Sequence, residues 1–478
     1  MPCPRGGSRL VLVPDERFED HLTHPRGRGR TVAGASHGAA GGAACGDLVR
    51  FSLAVDGERV SAAGFEASGC GSMLAAGSAA VELVEGAGLL DAARIGSPQI
   101  AAELGGLSAG KLHAADLVSD ALHRALGATV RHSGALAPDP ARTLVAMSGG
   151  VDSAVAALLA ARGGDGDVAS VTLELWADVD NDGERSCCSA AAVRGARRLA
   201  HELGMAHFTL DLRDEFRAGV VEPWLAEHAD GLTPNPCVRC NGHVRLDAML
   251  EFADRLGAAT LTTGHYARRT ADGLLRLAAD PAKDQTYMLA ALGRASLARL
   301  RFPLGEHCKD EVRAIAEQAG LAVARKPESQ DLCFLAGTGR ERFLARHGDL
   351  RERPGDIVDR GGRLLGRHRG HHGYTVGQRK GLGIAAAEPL YVVATDARAN
   401  TVTVGTRADL QTSTVRVRGL RLHDAEPDAV QLRYHAPALR CRLEGNRIHL
   451  AEPSEGAAPG QTAVFLRGDA IVGCATIA

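Results

Sequence analysis

The chain lacks the long apolar segments of a membrane protein. In its 478 residues no uninterrupted apolar run approaches the ~20 residues that a membrane-spanning helix needs, and the N-terminus has no signal-peptide core. We therefore expect a cytoplasmic protein with no membrane partner. A charge excess is also missing, because the formal net charge is −2, which argues neither for nor against a nucleic-acid partner. The eleven cysteines are an odd number for a long cytosolic chain, and they indicate metal or sulfur chemistry rather than a disulfide framework.

A glycine pair lies in the sequence SGGVDS, residues 148–153, in the first half of the chain. Residues 143–147 before it have the pattern of a short buried strand, and residues 154–161 after it have helical spacing. The glycines allow a tight turn, and the hydroxyls of Ser148 and Ser153 with the positive end of the helix would hold an anion such as pyrophosphate. No lysine follows the second glycine, so this is not the lysine-containing P-loop, and an ordinary strand–turn–helix corner is the alternative. The pattern resembles the signature of the ATP pyrophosphatase superfamily, whose members adenylate a substrate and release pyrophosphate.

Strands and helices alternate in the region that follows the glycine pair. Predicted strands at 168–175 and 208–212 alternate with predicted helices at 190–203 and 244–256. This alternation predicts an α/β doubly wound parallel sheet, with ligands bound at the carboxyl ends of its strands.

The regions on either side of this sheet have different patterns. Residues 51–55 and 60–65 alternate like paired strands and are followed by helical periodicity, which predicts an N-terminal α+β domain. Beyond residue 348, short strands separated by glycines predict a small central β domain and a C-terminal β-barrel. The predicted organisation of this multidomain chain is an N-terminal domain at 1–132, a linker at 133–141, the α/β domain at 142–347, the central domain at 348–412 and the barrel at 413–478.

A C-x-x-C pair lies in the sequence TPNPCVRCN, residues 233–241, which reads as a turn-rich loop. Half of a zinc site would need two more well-spaced ligands, and a thioredoxin-like redox pair would need a helix to start directly after the first cysteine. A third thiol, Cys333, lies far away in sequence. Three thiolates could hold an iron–sulfur cluster with one open iron, or two could relay a persulfide, and the residues alone leave both open.

Seven motifs occur in one order from residue 143 to the C-terminus. They are SGGVDS, TPNPCVRCN, GHYAR at 264–268, KDQTYML at 283–289, KPESQDLCF at 326–334, GQRKGLG at 377–383 and PGQTAVF at 459–465. Together they resemble the tRNA 2-thiouridylase family, which places sulfur at C2 of the wobble uridine. The resemblance implies an ATP pyrophosphatase domain, a central domain and a C-terminal β-barrel.

The resemblance also implies roles for the matching residues. For ATP binding it implies Ala146, Met147, Ser148, Gly149, Gly150, Val151, Asp152, Ser153, Leu173 and Gly264. For catalysis it implies Cys240 as the first cysteine and Cys333 as the second. For contacts with tRNA and the target base it implies Asn235, Pro236, Cys237, Lys283, Asp284, Gln285, Arg433 and Tyr434.

The position that Cys237 holds is an aspartate in many members of that family. A general-acid role of that aspartate is therefore not carried over to this chain. The extra thiol favours a 4Fe–4S cluster on Cys237, Cys240 and Cys333, since a C-x-x-C pair with a distant cysteine supplies three like ligands.

Four short motifs follow one another in the N-terminal region: HPRG at 24–27, ACGD at 44–47, SGCGS at 68–72 and KLHA at 111–114. Over residues 10–128 they resemble the U-type iron–sulfur scaffold family, which assembles clusters on three cysteines with an aspartate or histidine. Cys45, Asp47 and Cys70 match that ligand set and are the predicted metal ligands of this domain. The third cysteine position holds Ala114, directly after His113. The missing thiolate predicts weakened cluster binding, and a scaffold fold retained only for docking is the alternative.

A basic stretch at residues 360–379 contains His368, His371 and His372. Phosphate contact is the preferred interpretation of this stretch, and an ordinary solvated face is the alternative.

The implied reaction begins with ATP and Mg²⁺, which adenylate the C2 oxygen of a uridine in the anticodon loop of tRNA. Sulfur from a donor, such as a cysteine desulfurase or a sulfur-relay protein, then displaces AMP. The base must leave its stack to be reached, which is easiest in a loop. Two rival functions remain: an amide-forming ligase, which would need ATP but neither tRNA nor the cysteines, and an iron–sulfur carrier that uses the pyrophosphatase fold as a platform.

Overall fold

The computed structural model describes residues 16–41, 46–132, 136–163, 166–177, 189–327, 332–335, 337–423, 425–455 and 457–478. Contacts divide the chain into two compact units. The first comprises residues up to 137 together with 197–210, and the second comprises 138–196 and 211–478. Within the described residues, no helix is both long enough and apolar enough to cross a membrane.

The first unit is built on a three-stranded antiparallel sheet with the order β1-β2-β3. Its strands are β1 (Ser36–Gly41), β2 (Leu48–Asp56) and β3 (Arg59–Ser68). Its helices are Glu16–Thr23, Gly71–Val84, Leu89–Ala92, Ser97–Glu103 and Leu112–His132. The predicted strand pair is confirmed: Phe51 faces Phe65 across the ladder, and Gly57 makes the turn at a φ of 58°. Both phenylalanines are fully buried, so this pair anchors the core of the unit.

Residues 197–210 add charged and aromatic groups to this unit. Arg197 donates a hydrogen bond of 2.6 Å to Asp120, and both side chains are about 95% buried, with 4% and 5% exposed. The rings of His123, His201 and His207 lie beside them, with centroids 5.3 to 6.4 Å apart. Burial lowers the pKa of all three histidines, and that of His201 falls from 6.5 to about 4. The three histidines are therefore neutral at pH 7. Asp120 provides the negative charge that pairs with Arg197.

This cluster predicts a loss of stability in mild acid. The unfolded chain binds a proton on His201 near pH 6.5, whereas the folded chain resists it down to about pH 4, so the unfolding free energy falls as the pH drops through this window. Between pH 6.5 and pH 4, the low pKa of His201 lowers the unfolding free energy by about 3 kcal/mol. The variant His201→Gln, which retains a donor for the carbonyl of Ala93 3.0 Å away, should show a shallower decline of melting temperature between pH 7 and pH 4.5. An unchanged decline would contradict the assignment.

The second unit begins with the predicted α/β domain. Its strands in chain order are β4 (Asp139–Ala146), β5 (Val168–Glu174), β6 (Ala206–Asp211), β7 (Ala258–Thr262), β8 (Arg268–Arg269), β9 (Leu275–Arg276) and β10 (Leu300–Arg301). Of these, β6 falls in the stretch that clusters with the first unit. Four strands of the parallel sheet lie in the second unit, in the order β10-β7-β4-β5. The parallel sheet confirms the predicted fold class, and β4 begins inside the stretch predicted as a linker.

Helices surround this sheet in the second unit. The α-helices are Val151–Gly163, Ala190–Glu202 (whose last residues cluster with the first unit), Arg213–Phe216, Glu222–Ala229, Pro236–Cys240, Leu246–Arg255, Thr286–Leu289, Arg294–Arg299, Lys309–Gln318 and Arg340–His347. Two π-helical turns occupy Arg217–Val221 and Asn241–Arg245. The helix Val151–Gly163 packs against Lys309–Gln318 over a core of small aliphatic side chains. That packing fixes the start of the first helix, where the glycine pair lies.

Two β structures complete the second unit. The central sheet has the order β12-β11-β14-β13, formed by β11 (Gly355–Val358), β12 (Leu364–His368), β13 (Tyr391–Asp396) and β14 (Thr401–Gly405), with 3₁₀ turns at His371–Gly373 and Arg407–Leu410. The last six strands are β15 (Gln411–Leu422), β16 (Ala429–Gln431), β17 (Leu439–Glu444), β18 (Arg447–Glu455), β19 (Thr462–Arg467) and β20 (Ala470–Ile477). They pair in the order β15-β18-β17-β16-β19-β20, and β15 also pairs with β20, which closes the predicted barrel.

Candidate functional site

The glycine pair forms a loop that its own side chains close. The Ser153 hydroxyl accepts hydrogen bonds of 3.1 Å from the backbone N–H and the hydroxyl of Ser148, and it donates one of 3.1 Å to the carbonyl of Gly150. The helix Val151–Gly163 starts within this loop, so its first N–H groups have no carbonyl partner inside the helix. The loop therefore presents backbone donors and a positive helix end at the carboxyl edge of β4, as an anion site requires.

Two glycines are needed for this loop to keep its shape. Gly149 has a φ of 69°, and a Cβ there would lie 2.8 Å from the carbonyl oxygen of Ala192. Gly264, predicted from sequence as part of the ATP site, packs directly on the loop, since a Cβ there would lie 2.7 Å from the nitrogen of Ser153. Leu173 is buried near the carboxyl end of the neighbouring strand β5. The structure thus brings the predicted ATP-binding residues of the loop together with Gly264.

Three residues that sequence reasoning missed complete the loop. Lys309 donates hydrogen bonds of 2.7 and 2.9 Å to the two carboxylate oxygens of Asp152, and the Tyr266 hydroxyl donates one of 2.8 Å to the same carboxylate. Lys326 donates a hydrogen bond of 2.9 Å to the carbonyl of Gly149. Both lysines come from segments more than 150 residues away, so no local pattern could have found them.

The C-x-x-C pair is helical, which corrects the prediction of a turn-rich loop. The Asn235 side chain accepts hydrogen bonds from the backbone N–H groups of Cys237 (3.1 Å) and Val238 (3.3 Å), and Pro236 is the first residue of the helix Pro236–Cys240. Asparagine at the N-cap followed by proline is a helix start signal that was read as a turn. The helix places Cys237 and Cys240 three residues apart and hence on one face, with Cys240 buried.

Cys333 lies beside an aromatic cluster that holds its neighbour. Phe334 is buried, and its ring centroid lies 5.1 to 6.5 Å from four aromatic rings, those of Trp176, Phe216, Trp224 and Phe343. Cys333 itself is half-buried, as is Cys237. The packing of Phe334 therefore anchors the chain next to the third predicted thiol.

The residues predicted to touch tRNA are held in one network around Tyr434 and Tyr287. The Tyr434 hydroxyl lies 3.4 Å from the carbonyl of Asp284, its ring lies 5.7 Å from that of Tyr287, and Arg433 beside it is exposed. Burial raises the pKa of Tyr434, and nearby Asp284 and Cys237 raise it further.

The side chains of Asp284 and Gln285 accept hydrogen bonds from neighbouring parts of the protein. Asp284 accepts hydrogen bonds from the N–H of Ala278 (2.6 Å) and from Thr286, and Gln285 accepts one of 3.0 Å from the N–H of Tyr266. These two residues therefore hold the conformation of residues 283–286. The adjacent Lys283 is half-buried and is the basic residue of this segment.

Both β domains of the second unit bind the segment that precedes the cysteine helix. Thr233 donates its N–H to the carbonyl of Pro459 in the barrel (2.8 Å), and its carbonyl accepts a bond of 2.7 Å from Gln461. Its hydroxyl donates a bond of 3.3 Å to that of Thr375 in the central domain. The motifs TPNPCVRCN and PGQTAVF, far apart in sequence, are therefore in direct contact.

The histidines of the basic stretch do not support phosphate contact. His368 and His371 are buried, with hydrogen bonds of 3.1 and 3.2 Å to the carbonyl and side chain of Asn400. Burial lowers the pKa of His368, so it does not supply a positive charge at pH 7. The preferred interpretation was wrong for these two residues, because their polar atoms hold the central domain together.

A second cluster of ligating groups lies in the first unit. Asp47, Cys70 and His113 each offer a ligand atom, all within 4.8 Å of one another, and this is the only such group of three among the residues that the structure describes. His113 Nε2 lies 3.0 Å from Asp47, while its Nδ1 lies 3.0 Å from the carbonyl of Gly110. A carbonyl only accepts, so the Nδ1 contact with Gly110 is a bond that the ring donates, and Nε2 is the ligand atom that faces Asp47 and Cys70.

The other predicted ligands of this domain are less informative. Cys45 lies outside the described residues. Ala114 is fully buried, so the position of the missing third cysteine faces the core. His113, a member of the observed group, was not in the predicted ligand set. It lies in the motif KLHA at 111–114, which was the available sequence signal.

Comparison with known proteins covers both units. The bifunctional protein NifU/MnmA of Rubrobacter xylanophilus is 45% identical over 474 residues, which span 95% of this chain and 96% of that protein. The chain belongs to the NifU/MnmA family. The tRNA-specific 2-thiouridylases of Roseiflexus sp. and Salinispora tropica, 41% and 44% identical, are similar over 71% and 70% of this chain and 99% of each relative.

Four family profiles match consecutive parts of this NifU/MnmA chain. They are described as the NifU-like N terminal domain (15–133), the tRNA methyl transferase HUP domain (141–337), the tRNA methyl transferase PRC-barrel domain (341–406) and the aminomethyltransferase beta-barrel domain (412–477). Both resemblances noted in the sequence are confirmed.

The close packing of Gly264 predicts a specific defect. In Gly264→Ala the new methyl group meets the backbone of Asp152 and Ser153, which cannot move without opening the loop. We expect ATP affinity to fall at least about tenfold, corresponding to the loss of one or two charge-assisted hydrogen bonds. Gly195→Ala is the matched control, because its Cβ would point into open space on a helix. Equal ATP binding by the two variants, measured by isothermal titration, would refute the placement of Gly264 in the site.

Proposed function

We propose that this chain is a tRNA-uridine 2-sulfurtransferase that uses ATP to activate C2 of the wobble uridine and replaces the oxygen by sulfur. The products are 2-thiouridine, AMP and pyrophosphate. The observation that carries the proposal is the closed SGGVDS loop at the end of β4, with Gly264 packed on it. Two relatives that this chain matches over 99% of their length are named tRNA-specific 2-thiouridylases.

Adenylation is the step that the loop supports. The C2 oxygen of uridine attacks the α-phosphorus of ATP, the bond to the β-phosphate breaks, and pyrophosphate leaves. The N–H groups at the start of the helix Val151–Gly163 bind the negative charge that grows on the leaving group. Magnesium enters with the nucleotide as part of the substrate and screens the phosphates.

Sulfur transfer is assigned to the two cysteines of the resemblance. Cys240 is buried on the helix that Asn235 caps, and Cys333 lies next to the anchored Phe334. In a persulfide relay, the outer sulfur of a persulfide on Cys240 forms the bond to C2, and AMP leaves as its C–O bond to the base breaks. The Cys333 thiolate then attacks the Cys240 sulfur, so that 2-thiouridine leaves and a Cys240–Cys333 disulfide remains for an external thiol to reduce. Cys237 and Cys240 lie three residues apart on one helix face, so both could ligate a cluster together with Cys333. A cluster, when bound, would supply an open iron for sulfide.

Transfer RNA is the substrate, and its anticodon loop supplies the accessible base. Asn235, Pro236 and Cys237 lie where a flipped uridine would meet the cysteine helix. Lys283 and Arg433 supply positive charge for the RNA backbone, and Tyr434 offers a ring for stacking. Asp284 and Gln285 act by shaping this surface.

The first unit delivers sulfur or iron to the second. Asp47, Cys70 and His113 form a mixed ligand set with one thiolate, and Cys45, which the resemblance implies as a further ligand, lies outside the described residues. Covalent linkage keeps the first unit at high effective concentration near the thiolation site, so even weak loading suffices for transfer. A cysteine desulfurase or sulfur-relay protein is the expected donor.

Replacing the cysteines should separate the two steps. Cys240→Ser and Cys333→Ser should abolish 2-thiouridine, measured by nucleoside analysis of tRNA, and retain tRNA-dependent pyrophosphate release. Asp152→Ala should abolish both. Cys441→Ser is the matched control, since burial raises the pKa of Cys441 to about 11 and leaves it a poor nucleophile at pH 7.

The outcomes of this experiment also discriminate the rivals. Pyrophosphate release without tRNA would indicate an amide-forming ligase. Thiolation that survives Asp152→Ala would indicate an iron–sulfur carrier. Full thiolation by rigorously iron-free enzyme would support the persulfide relay over the cluster.

The mixed ligand set of the first unit predicts a metal requirement that point variants can test. Asp47→Ala and His113→Ala should each weaken zinc binding at least about tenfold, as loss of one ligand or its oriented partner does, measured on the full-length chain with Cys237→Ser, Cys240→Ser and Cys333→Ser so that metal on those thiols does not contribute. The thiolation assay uses the same two variants with those three cysteines intact. Thiolation by these variants should slow when sulfur is scarce and stay normal with ample sulfide. His132→Ala, on an exposed helix end of the same unit, is the control. Unchanged metal content would leave docking as the role of this unit.

A further inference from the structure

Lysine is scarce in this chain, and its positions are informative. Only five of the 55 Lys and Arg residues are lysines. Four of them, Lys111, Lys283, Lys326 and Lys380, lie in the motifs that carry the two family resemblances. The fifth, Lys309, belongs to none of those motifs, yet its ammonium group pairs with Asp152. A chain that uses arginine for ordinary positive charge places a compact ammonium at this point.

The surroundings of Lys309 hold its side chain in one position. It is the first residue of the helix Lys309–Gln318, and its N–H donates a hydrogen bond of 3.1 Å to Asp280. Its side chain is 11% exposed, and its Nζ lies 5.8 Å from the centre of the Tyr266 ring. The ammonium contacts both oxygens of Asp152, and Tyr266 contacts one of them.

The charge of Asp152 explains why an ammonium is needed there. Asp152 is the second residue of the helix that starts in the SGGVDS loop, so its carboxylate lies beside the loop that the proposed function assigns to the phosphates of ATP. An unpaired carboxylate would repel the phosphates, and a carboxylate free to rotate would compete for the backbone N–H groups of the loop. The loop itself has no lysine, unlike a P-loop.

We propose that Lys309 is a positioning residue of the adenylation site, which with Tyr266 fixes Asp152 and neutralises its negative charge beside the loop. This inference deepens the proposed function and rests on ATP binding at the loop. Lys326, the first residue of the motif KPESQDLCF, supports the same loop through its hydrogen bond to the carbonyl of Gly149.

The test measures binding of ATP and of inorganic pyrophosphate to the full-length chain, by titration calorimetry. Lys309→Met should weaken both at least about tenfold, the loss expected for a hydrogen bond to a charged group. Lys309→Arg should recover most of this affinity, because a guanidinium can pair with both carboxylate oxygens. Arg325→Met is the matched control: it removes one positive charge next to Lys326, but its side chain is 92% exposed. Its affinity should stay within about twofold of the parent.

A double variant separates positioning from a general effect on folding. In Asp152→Asn the side chain needs no countercharge, so adding Lys309→Met to it should change pyrophosphate affinity by less than about threefold. Independent, additive losses would overturn the proposal, as would equal affinity of Lys309→Met and the parent chain. Should Lys309→Met alone fail to fold, the comparison of Asp152→Asn with the Asp152→Asn/Lys309→Met double variant still tests the proposal, because neither side chain in the double variant is charged. Absence of ATP binding by the parent chain would refute the proposed function instead, so the two failures are distinguishable.

Discussion

The hydroxyl of Ser153 is the contact on which the geometry of the candidate site depends. It joins three parts of one loop through two accepted hydrogen bonds and one donated bond, all of 3.1 Å. This closure works only because Gly149 adopts a positive φ and Gly264 leaves room for the loop backbone. The parallel sheet then sets the loop at the carboxyl edge of β4, which is where open α/β sheets bind ligands.

Backbone hydrogen bonds at Thr233 impose a second constraint, on the cysteines. The N–H and carbonyl of Thr233 bind the barrel, and its hydroxyl binds the central domain, just before the helix that carries Cys237 and Cys240. The helix start is therefore fixed from both β domains as well as by its own N-cap. The two β domains therefore hold the start of the cysteine helix, and the barrel presents Tyr434 next to Asp284.

The sequence predicts those parts of the molecule whose signals are local. The strand–glycine–helix order around residues 143–161 and the pairing of β2 with β3 follow from periodicity and turn residues. The cysteine helix was misread because Asn and Pro favour both turns and helix starts, and only the capping bonds decide between them. Lys309 carried no local signal at all, because its meaning arises from a contact with Asp152 across 157 positions.

The two ligand sets of the chain differ in a way that fits a division of labour. The cysteines of the second unit are like ligands, suited to bind sulfur or iron firmly. In the first unit, a carboxylate and an imidazole lie beside the single described thiol, Cys70. Harder and neutral ligands hold a sulfur-rich cluster less tightly than thiolates do, so a load on the first unit is easier to release. With the buried Ala114 at the third cysteine position and His113 beside it, this ligand set agrees with the delivery role that we propose for the first unit.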